Sequence, residues 1–126
     1  MKTAILFALL ISNQAFAVTA DECFQALKTF DQHSKTIQVK VSAGEGQVGI
    51  VYIVPAKAQT SMQDRSAVTQ LRRICLLAGV RRSFHSRPDN PSQPVTACVG
   101  VNCDPFEGQL SQVITVTEFL SRGGLK

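Results

Sequence analysis

The sequence is short of the side chains that carry most enzyme chemistry: among 126 residues there are two histidines and one tyrosine. There is no Cys-x-x-Cys pair and no His-x-x-x-His pair, which removes the usual zinc-ligand spacings and the thioredoxin-like redox motif. No G-x-S-x-G elbow is present either. The sequence therefore offers no catalytic residues, no metal ligands and no cofactor site, and it reads as a non-enzyme. Internal repeats and low-complexity segments are also absent, so neither a solenoid nor a disordered tail is implied.

Charge is nearly balanced. Thirteen Lys and Arg stand against nine Asp and Glu, a formal +4 that falls to +3 without Lys2. This is mildly basic and suits an acidic partner, but it lacks the aromatic ladder and the module of a nucleic-acid binder. The one long apolar stretch, Ala4 to Ile11, is shorter than the ~20 residues that cross a bilayer. With Lys2 before it and Ala15-Phe16-Ala17 after it, residues 1–17 read as a signal peptide. Residues 18–126 are then expected to form a single exported globular domain, located in the periplasm and without stable membrane insertion.

Export decides how the four cysteines are read. In an oxidising compartment an even number of Cys implies disulfides. Cys98 and Cys103 suit a small local ring. Cys23 and Cys75 each fall on the apolar face of a helix and would tie the two together.

Several elements follow from periodicity. Ser61 to Gly79 places Ala67, Leu71, Ile74, Cys75 and Ala78 on one helical face, with a Ser61/Asp64 start signal and Gly79 as the stop. Thr19 to Glu22 reads as a capping box before a helix carrying Cys23, Phe24, Leu27 and Phe30. Asp31, His33 and Ser34 are catalytic residue types, but adjacency in sequence does not make a triad, and a polar helix end accounts for them. Ile37, Val39 and Val41 alternate with Gln38 and Lys40 as in a half-buried strand, and Gln47 to Val54 returns after a glycine turn as the second strand of a hairpin. Gly49 within that strand implies a bulge or close packing. The fold class is thus α+β, a small disulfide-linked domain of about three helices packed on a β-hairpin.

The segment from Val80 to Ala97 has no regular period and carries Arg81, Arg82 and Arg87 around Phe84 and His85. Arginines with an aromatic are frequent at interface hot spots, so these five residues are the candidate partner-binding set. Beyond Cys103, Asp104-Pro105-Phe106-Glu107 has the form of a helix start, and Leu110, Val113, Ile114, Thr117 and Leu120 continue at helical spacing to Gly123. The β-branched Val-Ile-Thr-Val-Thr run within it leaves a strand as the alternative.

This last segment, Cys103-Asp-Pro105-Phe-Glu-Gly108-Gln-Leu110-Ser-Gln112-Val113-Ile114 to Phe119-Leu120, resembles the C-terminal motif of the Tai-type immunity proteins. Val51-Tyr52-Ile53 is a fainter echo of the same family. The resemblance implies a largely helical fold, which makes all-α the alternative fold class. It also implies a periplasmic inhibitor whose partner is a peptidoglycan amidase effector, blocked by occlusion of its cleft. From the residues themselves the leading expectation is a non-enzymatic binding or inhibitor protein with a protein partner, a homodimer remaining open. The second expectation is a structural or accessory subunit of an envelope secretion or conjugation assembly. A small exported enzyme using His33 or His85 with Asp89 or Asp104 ranks third.

Overall fold

The computed structural model describes residues 18–44 and 47–125; the expected signal peptide and the middle of the glycine turn, Glu45 and Gly46, lie outside that range. In chain order the elements are α1 (Ala20–His33), β1 (Gln38–Ser42), β2 (Gly49–Ile53), a 3₁₀ turn (Lys57–Gln59), α2 (Met62–Leu77), β3 (Arg82–Ser86), β4 (Thr96–Val99), β5 (Asn102–Pro105), β6 (Val113–Thr115) and α3 (Val116–Ser121). The strands form one mixed sheet in the order β5-β4-β3-β2-β1-β6. Every neighbouring pair is antiparallel except β2 with β3. A parallel pair needs a long crossover, and α2 supplies it. The protein is an α+β domain in which the expected hairpin lies in the interior of a larger sheet.

Both long helices begin as their sequences require. The Thr19 hydroxyl accepts from the Glu22 N–H, and the Glu22 carboxylate accepts from the Thr19 N–H, closing the capping box. At α2 the Ser61 hydroxyl accepts from the Asp64 N–H, and Gly79 turns the chain with φ +85°, a conformation that favours glycine. The buried stripe of α2 is Asp64, Val68, Leu71 and Cys75. Ala67, Ile74 and Ala78 flank it, half-buried, so the face is rotated slightly from the one expected. Cys23 and Cys75 are bonded across α1 and α2, as the helix faces imply.

β2 is buried along its whole length because the sheet is covered on both sides. On one side Val39, Val41, Ile50 and Tyr52 meet Cys23, Phe24, Leu27 and Leu71 of the helices. On the other, Val51, Ile53 and Phe84 are covered by Phe106, Leu110 and Val113. Gly49 is explained by this second layer: a Cβ there would lie 2.6 Å from Phe84 Cε2.

Two expected elements differ from those observed. The stretch after α2 is regular, because Arg82–Ser86 pairs with β2 and with β4 and so occupies the interior of the sheet. The helix expected from Asp104 onward does not form. β5 continues to Pro105, residues 106–112 cross the sheet face as a strap, β6 pairs with β1, and only Val116–Ser121 is helical, capped by the Thr115 hydroxyl. The reason is reach. β5 and β6 lie on opposite edges, about 24 Å apart at the usual strand spacing. Eight residue steps of extended chain cover at most ~28 Å, whereas helix would cover only ~12 Å. Topology overrides helical periodicity here.

Candidate functional site

The turn of the β4–β5 hairpin carries Val101, the most exposed large hydrophobic side chain among the described residues. Cys98 and Cys103 stand directly opposite each other in its register and are bonded, and Val99 pairs with Asn102. Two residues, Gly100 and Val101, make the turn, with φ +65° at Gly100 as a two-residue hairpin turn demands. Val101 is 83% exposed and Val99 52%. The Gly100 N–H donates to the Arg81 carbonyl at 2.9 Å, which fastens the tip to the start of β3 and sets Arg81 beside it. The Arg72 side chain of α2 reaches the Cys103 sulfur at 3.7 Å. All four residues of β5 are exposed, and its outer edge has no strand partner among the described residues.

The five candidate residues are dispersed by the alternation of β3. Phe84 is 2% exposed and belongs to the strap-side core, in edge contact with Phe106 at 5.7 Å between centroids. It is a packing residue rather than a surface anchor. Arg82 lies over the Phe84 ring at 5.3 Å and donates to the Gln47 side-chain carbonyl. These two come together; the other three do not. Arg81 stands at the hairpin tip and Arg87 at the far end of β3, where it bridges Asn90.

His85 points to the helix side, into a cleft of about 450 Å³ between α2 and the ends of β2 and β3. Arg65, Arg72, Ser66 and Thr69 of α2 line one wall, and Ile37, Val54, Met62 and Val68 make the apolar remainder. Tyr52 sits beside His85 in the parallel register, with ring centroids 6.0 Å apart. Neither His85 Nε2 nor the Tyr52 hydroxyl has a hydrogen-bond partner among the described residues, although both atoms are buried. Burial, and then the Arg72 guanidinium, hold the His85 pKa below its ordinary value, so the ring is neutral at pH 7. Burial pushes the Tyr52 phenol well above its usual range, with Arg72 partly offsetting the rise.

Asp31, His33 and Ser34 serve the local backbone. Asp31 accepts from the Val39 N–H, His33 Nδ1 contacts the Thr29 carbonyl and the Ser34 hydroxyl donates to the Ile37 carbonyl. Among the described residues no group of three or more His, Cys, Asp or Glu is placed to hold a metal. No described helix is long and apolar enough to cross a membrane. The two disulfides are consistent with a protein that folds outside the cytoplasm.

Periodicity alone passed over the basic wall of the cleft. Arg65 and Arg72 are seven apart, two helical turns on one face, and that spacing was the available signal. The spacing Gly44-x-Gly46-x-x-Gly49-x-Val51 also matches, in letters, the glycine loop of protein kinases. It even joins antiparallel strands, yet the chain has neither His-Arg-Asp nor Asp-Phe-Gly, and Gly49 is accounted for by Phe84. Comparison of the chain with family models, curated proteins and solved structures finds no match.

Proposed function

We propose that this is a non-enzymatic exported binding protein that presents the β4–β5 hairpin to a protein partner as an inhibitor. The carrying observation is the exposed Val101 on a tip braced by the cross-strand Cys98–Cys103 bond. A rigid apolar tip binds without the ordering cost of a flexible loop. Arg81 beside it supplies charge for an acidic rim. Among the described residues no carboxylate lines the cleft beside His85 to orient the ring, which favours binding over acid–base chemistry. The resemblance of Cys103 to Leu120 is one of sequence only, since strands and a strap stand where that family is helical. On it, the partner proposed is a peptidoglycan amidase effector, with the periplasm as the site of action.

The test is capture from periplasmic extract and secreted effectors, followed by assay of the captured protein's cell-wall hydrolysis. Stoichiometric recovery of a hydrolase that the protein inhibits is the expected result. Val101→Asp should weaken that complex by ~30-fold or more, the scale of an interface hot spot, at unchanged melting temperature. Inhibition that survives this change would overturn the hairpin as the binding element.

A second reading rests on a different observation. The outer edge of β5 is exposed, and an exposed edge can accept a strand from a neighbour. The protein would then be a subunit of an envelope assembly, and recovery in a large membrane-associated particle would support it.

A further inference from the structure

We infer that the cleft between α2 and β3 binds a small amphipathic carboxylate, its anionic head against Arg65 and Arg72 and its hydrocarbon body along Val54 and Val68. This goes beyond the proposed function and does not depend on Val101 or the hairpin tip.

Three observations carry it. First, both arginines lie on the cleft wall without a carboxylate partner; the one ion pair among the described residues joins Arg122 to Glu118, in α3 and its C-cap. A guanidinium fork matches a carboxylate in geometry as well as charge. Second, His85 Nε2 is buried and unsatisfied. Such an atom costs stability in isolation; it is closed to solvent, so a turn of the His85 ring toward the cleft would bring its Nε2–H to an anion held there. Third, Val54 and Val68 make an apolar surface continuous with these polar groups, and about 450 Å³ falls within the usual range for small-molecule clefts. Apolar walls with a few convergent polar groups favour a ligand that is charged at one end only. Inorganic phosphate would leave the valines wet, and a neutral lipid would leave the arginines unanswered.

The experiment is a titration of the exported, disulfide-intact protein with octanoate, octanamide and acetate, followed by backbone amide NMR. Octanoate is expected to shift amides of Val54, Val68 and Thr69 saturably, with octanamide and acetate at least ten-fold weaker. Arg72→Met should lower octanoate affinity at least ten-fold. Because Arg72 also reaches Cys103, Arg65→Met is the parallel variant, with the same expected direction and no such second contact. Equal binding of octanoate and octanamide, shifts confined to other regions, or no saturable shift would each overturn the inference.

Discussion

The Asp64 carboxylate accepts hydrogen bonds from both the backbone N–H and the hydroxyl of Thr36, at 2.6 and 2.7 Å. A third comes from the Lys35 N–H, and the Thr36 hydroxyl in turn accepts from the Ser61 N–H. One buried acid thereby locks the α1–β1 connection to the start of α2. Burial opposes the charge on Asp64, but the bonds from Thr36, Lys35 and Ile37 outweigh it and hold the carboxyl below its usual range.

Asp64→Ala should therefore destabilise the fold by about 2–3 kcal/mol, since three hydrogen bonds to a charged acceptor are lost and their part-buried donors are left unpaired. Thr36→Val should cost less, because two backbone donors keep the carboxylate satisfied. Urea unfolding of both variants checks the order. The pH sense follows from the lowered pKa: the contribution is full above the unfolded value near 3.8 and is lost as pH falls through the folded one.

His85 acts in the same direction at higher pH. Its folded pKa lies below the unfolded 6.5, so the unfolded chain binds the proton first and stability declines as pH drops below about 6.5. His85→Gln should flatten the dependence of the urea midpoint between pH 7 and 5. Arg72→Met should move the His85 titration upward, although burial will still keep it below the ordinary value.

The two disulfides should differ in kind. Replacing Cys23 and Cys75 by serine opens a loop of 52 residues and should cost about 4 kcal/mol on the chain-entropy estimate. Replacing Cys98 and Cys103 opens a span of five and should cost about 2 kcal/mol. The second pair should nevertheless weaken partner capture more, because it braces the exposed tip. Denaturation and capture measured on both variants separate these roles.

Gly49→Ala should destabilise the protein by about 1–3 kcal/mol, the usual cost of overpacking, because Phe84 is pinned between β2 and the strap. Phe84→Leu in the same chain should restore part of the loss, which a double-mutant cycle in urea would show.

Local chemistry announced local structure well. Caps at Thr19 and Ser61, the alternation of Val39 and Val41 and the inward cysteines were all legible, since each depends on neighbours within a turn or a strand. What could not be read was set by partners distant in sequence. Arg82–Ser86 looks irregular because its two faces serve different layers, Phe84 against the strap and His85 in the cleft, which mixes the apolar pattern. Asp104-Pro105 looks like a helix start because the span to be bridged between the sheet edges is invisible locally. The cleft was half legible: His85 stood out as a rare residue, while the arginines that give it meaning were hidden among ordinary helix-surface charges.

The strap has a consequence for how the chain assembles. β1 is the first strand in sequence, yet its outer neighbour is β6, the last. A chain emerging from its N-terminus leaves one side of Val51 and Ile53 uncovered until Phe106 and Leu110 arrive, and the outer edge of β1 until Val113 to Thr115 do. Release of a product truncated before Val113 would leave a bare, sticky strand edge beside the core, the kind of intermediate that self-associates. The segment from Val113 to Thr115 thus acts as the latch that closes the outer edge of β1.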